Sequence, residues 1–321
     1  MNTVRFFAPI ESLLQQVEKR MLAEGDGYHP ELNAALKHLL SSGGKRIRPA
    51  VTLLSGRMLG VGDEQLINLA ASIELLHTAT LVHDDLIDGA MFRRGIPTLN
   101  SKWSSAATVL TGDYIFSRAA SVAANINHVP LMHSFARTLA TIVDGEITQL
   151  FNARIVRDQE SYYQRIYAKT ASLFEMSTEA VAMLSPLAEQ TATDMKGYGY
   201  QIGMAFQIVD DVLDFIGDQG QVGKPVGSDL RQSIVTLPTL YYYEDHQDDL
   251  EVRALLAGEK LEEERIGILV TNICQSGAIE RVIEEARGFV RRGQEYLARM
   301  PAVRERQALV ELTDYIVERR L

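Results

Sequence analysis

An all-α helical bundle is the fold this 321-residue chain predicts, and three observations predict it. Apolar residues recur at three- and four-residue spacing in nearly every window, the period of a helix with a buried face. Strand-like alternation bounded by turn residues is missing. Prolines stand where helices should begin, because the first turn does not use the N–H that proline lacks.

The periodicity is carried by Leu66, Leu69, Ile73, Leu76, Thr80 and Ile87 in the first third, and later by Ile202, Phe206, Val209, Leu213 and Ile216. The stretch from Leu66 to Leu81 is almost apolar all round, which marks an interior helix. Pro30, Pro49, Pro130 and Pro238 are the candidate first-turn prolines. Buried central helices inside a polar shell are therefore expected. With 46% apolar residues the chain can bury a large core, and no Pro-, Gly- or Ser-rich stretch interrupts the pattern. A single domain over 1–321 follows, without solenoid repeats.

Composition excludes several functions. A net charge of −10 speaks against a nucleic-acid partner, since phosphate backbones call for a basic face. One cysteine, Cys274, can form neither an internal disulfide nor a thiolate zinc site. The N-terminal MNTVRFFAPIESLLQQVEKR turns charged too early for a secretory signal. No run reaches the ~18 uninterrupted apolar residues of a spanning helix. A cytoplasmic protein without a transmembrane anchor is expected.

One short pattern recurs. Asp84-Asp85-Leu86-Ile87-Asp88 and Asp210-Asp211-Val212-Leu213-Asp214 both read Asp-Asp-apolar-apolar-Asp. On a helix the first and last carboxylates lie one turn apart on one face. Each triad ends an apolar helix, where like charges left alone would repel or take up protons. An oxygen-only cluster suits Mg²⁺, which keeps waters and completes its shell with substrate phosphates. A lone triad reads equally well as a solvated helix end; two alike do not. Asp248-Asp249, set among polar neighbours, reads as plain surface.

Cations flank the triads. Arg93 and Arg94 follow the first within two turns. Gly43-Gly44-Lys45-Arg46-Ile47-Arg48-Pro49 precedes a helix start suited to anion capture. Lys169-Thr170 is read as another helix start, and Lys224 lies in a loop with Gly217, Gly220, Gly223 and Gly227. Two diphosphates are expected, one held by metals and one by basic side chains.

These stretches resemble the trans-prenyl diphosphate synthases, from Gly43 to about Pro238. The matching motifs are GGKRIRP at 43–49, ELLHTATLVHDDLID at 74–88, RRG at 93–95 and GD at 112–113. GE with Gln149 around 145–149, KT at 169–170, GMAFQIVDDVLD at 203–214 and GKPVGSDL at 223–230 complete the series. The resemblance implies a single-domain helical bundle around a deep central cavity, of isoprenoid synthase type, and a homodimer. It also implies a Mg²⁺-dependent condensation of isopentenyl diphosphate with an allylic prenyl diphosphate. Three Mg²⁺ ions would be held by Asp84, Asp88 and Asp210, with Asp85, Asp211 and Asp214 in support. Lys169, Thr170, Gln207, Lys224 and Arg93 would contact the leaving diphosphate. Lys45, Arg48, His77 and Arg94 would hold the second. No side chain is assigned as a base, because the departing diphosphate can take the proton. His83 is unassigned.

The chain departs from the family at Ser233-Ile234, where many members carry Gly-Lys before Thr-Leu-Pro; an aliphatic residue there resembles longer-chain members. In the family, the residues four and five before the first aspartate gate the product tunnel. Here they are Thr80 and Ala79, both small. A product of six or more units, seven to ten expected, follows as a quinone side-chain precursor, with peripheral membrane contact for product release.

Alternatives remain. A short-chain synthase making farnesyl or geranylgeranyl diphosphate would place Tyr or Phe at the gate. A terpene cyclase would lack the second triad and GGKRIRP, and a non-catalytic partner subunit would have lost a triad. A di-iron bundle is raised by the Glu-x-x-His spacing of Glu74 and His77, but lacks a second such motif. Gly197-Tyr198-Gly199-Tyr200-Gln201-Ile202-Gly203 misses dinucleotide spacing and reads as close helix packing.

Overall fold

The computed structural model describes residues 5–26, 29–41, 44–93, 95–152, 158–187, 189–217 and 226–318. These residues are helical almost throughout. They divide into two compact units, Met1–Ala136 with Met176–Thr193 and Met300–Glu311, and Arg137–Glu175 with Asp194–Arg299 and Leu312–Leu321.

The first unit is built on α1 (Glu11–Ala23), α2 (Pro30–Ser41), α3 (Ile47–Met58), α4 (Asp63–Ile87) and α5 (Ser105–Ala124). Helix α4 is the interior helix that the apolar run predicts. Leu66, Leu69, Ile73, Leu76 and Ala79 are wholly buried, and α4 packs against α1, α3 and α5. By length and composition α4 could cross a bilayer, but 67% of its apolar window is buried in protein. It is a core helix. Gly56 lets α3 approach it closely, since a Cβ there would sit 2.0 Å from Leu66 Cδ2.

After α4 the chain makes a small hairpin absent from the helical expectation. Strand β1 (Phe92–Arg93) pairs antiparallel with β2 (Ile96–Pro97), Phe92 opposite Pro97 and Arg93 opposite Ile96. Gly95, at φ +75°, supplies the left-handed turn that closes it.

Helices α6 (Val129–Asn152), α8 (Ser172–Leu184), α9 (Glu189–Ile216) and α15 (Arg304–Glu318) each contribute residues to both units. Four of the five boundaries thus fall inside helices, which is why no linker composition is visible there. The second unit also contains α7 (Gln159–Ile166), a π-helical turn at Tyr167–Ala171, and α10 (Ser228–Arg231). It is completed by α11 (Leu237–Asp245), α12 (Leu250–Leu256), α13 (Glu263–Gln275) and α14 (Ala278–Ala298). Gly197 and Gly203 serve packing, as expected. A Cβ on Gly197 would meet the Tyr296 ring at 2.5 Å, and one on Gly203 would meet Ala171 Cα at 2.6 Å.

All four prolines lie in first turns: Pro30 opens α2, and Pro49, Pro130 and Pro238 fall in the first turns of α3, α6 and α11. The plain-surface reading of Asp248-Asp249 is half corrected. Asp248 is exposed, but Asp249 caps α12, accepting from the Glu251 and Val252 amides and from the Tyr242 hydroxyl. Orphan amides at a helix start reward such a carboxylate.

Candidate active site

The first triad terminates α4. Asp84 is half-buried, Asp85 is 5% exposed and Asp88, the C-cap residue, is exposed. Gly89 then leaves the helix at φ +64°. The hairpin returns Arg93 to the triad, where its Nε donates to Asp85 Oδ1 at 2.8 Å. The middle carboxylate is therefore neutralised by protein. The outer two lie one turn apart at the helix end.

The basic loop of the same unit meets α4 one to two turns earlier. Arg48 Nη1 donates to His77 Nε2 at 3.2 Å, so that nitrogen acts as an acceptor. Lys45 stands exposed on the loop. The structure thus brings together Arg48 and His77 as the resemblance implied; Gly43 and Arg94 lie outside the described residues. Ala79 is fully buried. Thr80 is half-buried, its hydroxyl donating to the His77 carbonyl at 2.8 Å. His83 gains a packing role: a Cβ on Gly112 would fall 2.2 Å from its Nε2, and Asp113 Oδ1 lies 3.5 Å away. That accounts for the GD motif.

The second unit holds the other triad near the end of α9. Asp211 is fully enclosed. Tyr162 Oη donates to its Oδ2 at 2.7 Å, and Gln207 Nε2 donates to its Oδ1 at 2.7 Å. Thr170 Oγ1 in turn donates to Gln207 Oε1 at 2.6 Å. This relay orients Gln207 and Asp211 and uses both Asp211 oxygens. Asp210 is half-buried. Asp214 accepts from the Ser228 and Asp229 amides at 3.2 and 3.0 Å, tying the end of α9 to the start of α10. As in the first triad, the middle carboxylate is the buried one. Tyr162 is a site residue that sequence reasoning missed; nothing distinguishes it locally from other tyrosines.

Burial pushes the Asp211 carboxyl up to about 6, against the opposing influence of Arg165, Gln207 and Tyr162. An aspartate raised in the folded state contributes stability that is full below its ordinary value of 3.8 and lost as pH rises through about 6. In metal-free protein, Asp211→Asn should therefore gain thermal midpoint relative to wild type as the buffer moves from about pH 4 to about pH 7. Calorimetry in EDTA checks this, and a gap that does not widen would remove burial as the cause.

The reading of Lys169-Thr170 as a helix start is corrected. Both lie inside the π-helical turn Tyr167–Ala171, which continues α7 into α8. Such a turn inserts a residue into the ladder and re-aims side chains, often at functional sites. Lys169 Nζ donates to Glu146 Oε1 at 2.6 Å. Gly145 admits the turn closely, since its Cβ would lie 2.6 Å from Ala168 Cβ. The GE motif thus has a packing half and a charge half. Lys224 lies outside the described residues. Ser233 adopts φ +59°, a conformation at home for glycine, so the backbone there suits the residue the family often carries.

Among the described residues, no three His, Cys, Asp or Glu side chains converge into a ready-made metal cage. The donor set still fits a hard divalent ion. Mg²⁺ needs only one or two carboxylates when water and substrate phosphate supply the rest, and Asp84 with Asp88 offers such a pair at a helix end.

The family model described as polyprenyl synthetase matches residues 29–273. The heptaprenyl diphosphate synthase component 2 of Geobacillus stearothermophilus is 36% identical over 306 residues, covering 95% of this chain and 94% of that protein. The octaprenyl diphosphate synthase of Haemophilus influenzae is 34% identical, covering 95% and 94%. The crystal structure of a Caulobacter crescentus polyprenyl synthase, complexed with calcium and isoprenyl diphosphate, superposes with a TM-score of 0.92. It is 32% identical and covers 99% of this chain and 98% of that one.

Proposed function

The chain belongs to the polyprenyl synthetase family, and from that premise we propose that it condenses isopentenyl diphosphate head-to-tail with an allylic prenyl diphosphate. The product is an all-trans prenyl diphosphate of six or more units. The observation that carries the reading is the matched layout of the two triads. In each, protein donors occupy the buried middle carboxylate, Asp85 through Arg93 and Asp211 through Tyr162 and Gln207. Of the outer carboxylates, Asp214 accepts from the Ser228 and Asp229 amides, and Asp84, Asp88 and Asp210 are the ones assigned here to a cation.

Asp84, Asp88 and Asp210 are the proposed ligands for Mg²⁺, three ions per site. When bound, the metal supplies Lewis-acid stabilisation to a departing diphosphate. Lys169, presented by the π-turn, and Gln207, oriented by Thr170, bind that diphosphate. Arg48, His77 and Lys45 are the proposed holders of the diphosphate of isopentenyl diphosphate, whose double bond attacks the allylic carbon as the C–O bond to its leaving diphosphate breaks. Holding both reactants in one geometry converts a two-body encounter into an intramolecular step. No side chain is needed as base, because the released diphosphate accepts the final proton.

The long-chain reading draws on small Ala79 and Thr80 and on relatives named for seven- and eight-unit products. We further propose a single catalytic domain over 1–321, cytoplasmic with peripheral membrane contact for product release, acting as a homodimer. A second assembly, with a different partner chain, is favoured by one observation: the Geobacillus relative is named component 2.

Purified protein incubated with labelled isopentenyl diphosphate, farnesyl diphosphate and Mg²⁺, with an EDTA control, tests the reading. Metal-dependent products of six or more units are expected. Products stopping at three or four units would keep the chemistry and move the tunnel floor. No condensation by folded, metal-loaded protein, alone and with lysate fractions added, would overturn the proposal.

A further inference from the structure

Two residues singled out by the sequence are not absorbed by the reaction above: Arg46, between the two cations assigned to the second diphosphate, and Glu74, whose spacing to His77 raised the di-iron alternative. The structure joins them. Arg46 Nη1 donates to Glu74 Oε1 at 2.9 Å, and the pair is largely enclosed, with side chains 17% and 8% exposed. Arg46 Nη2 donates to the Leu40 carbonyl at 3.1 Å, and its Nε donates to Glu18 Oε1 at 3.2 Å. Its backbone, at φ 48° and ψ 32°, is left-handed immediately before α3. For a residue with a Cβ that conformation is uncommon and needs surrounding contacts to hold it.

The spacing gives these contacts a purpose. Glu74 and His77 stand three residues apart on one face of α4. Arg46 and Arg48 stand two apart where the loop enters α3. Glu74 takes Arg46 and His77 takes Arg48 at 3.2 Å, so two rungs clamp the loop to the helix that ends in the first triad. A guanidinium bound at three points is a rigid strut, because its fork is planar and always charged.

We propose that Arg46, acting through Glu74, is a positioning residue for isopentenyl diphosphate: it sets the loop so that Lys45 and Arg48 meet the second diphosphate at a fixed distance from the first triad. Glu-x-x-His is here a socket for Arg-x-Arg, not half of a di-iron site. The inference rests on the prenyl-transfer reading above.

Arg46→Ala in the full chain should raise KM for isopentenyl diphosphate about tenfold, the loss expected when a charge-assisted contact is no longer held. KM for the allylic diphosphate and the half-saturating Mg²⁺ concentration should stay at wild-type values. Arg46→Lys keeps the charge beside Glu74 and should recover part of the KM; it also serves if the alanine variant does not fold. Arg46→Ala combined with Glu74→Ala should raise KM no further than Arg46→Ala alone, since both act through one contact. A folded variant with lowered thermal midpoint but unchanged KM for isopentenyl diphosphate would overturn the inference, as would an equal rise for both substrates. Wild-type protein that transfers no prenyl group would instead overturn the reaction reading beneath it.

Discussion

Asp84→Ala is expected to lower kcat for prenyl transfer by about 10³-fold, the scale on which enzymes lose rate when one group stabilising transition-state charge is removed. Asp84 stands in the last turn of α4, one helical turn from exposed Asp88. The carboxylate between them is engaged by Arg93 and cannot take over without breaking that pair. Loss of Asp84 therefore removes one of the two outer carboxylates at this helix end, and the Mg²⁺ concentration for half-maximal rate should rise along with the fall in kcat. The helix itself should persist, because alanine is a strong helix former and α4 is anchored by Leu66 to Ala79. Asp248→Ala, at an exposed aspartate, is the matched control. Steady-state kinetics across a Mg²⁺ series decides the matter: equal behaviour of the two variants would remove the first triad from the chemistry.

Ala79→Phe should shorten the product, from six or more units to about three or four. One turn of helix advances ~5.4 Å, close to an extended five-carbon unit, so a ring at this level blocks what a methyl group admits. Ala79 is fully buried, and the added ring carries an overpacking cost of about 1–3 kcal/mol unless it enters open space. The two effects are separable. If residue 79 borders the tunnel, chromatography shows shorter products while the thermal midpoint changes little. If it is ordinary core, stability falls and product length is unchanged, which would sink the gate assignment.

Much of this was legible in order along the chain. The interior character of α4 is written in a run that is apolar all round, and the prolines mark helix starts because their constraint is local. Each triad's spacing places two carboxylates one turn apart on any helix. The glycines at 197 and 203 read as packing residues, and Tyr296 and Ala171 are what they pack against. The misreadings have a common cause. Lys169-Thr170 looked like a helix start because a π-turn has no composition of its own, and Asp249 looked like surface because its capping role depends on where α12 begins.

The sequence by itself determined the helices and the two Asp-Asp-x-x-Asp turns, because periodicity and spacing are properties of neighbouring residues, and its motifs carried the resemblance to the family. Only the tertiary structure decided which donors engage the buried middle member of each triad. Those donors are brought in from elsewhere: Arg93, eight residues on and turned back by the hairpin, and Tyr162, 49 residues from Asp211. A buried carboxylate must find such partners or protonate, and where they come from is a property of packing, which no local pattern records.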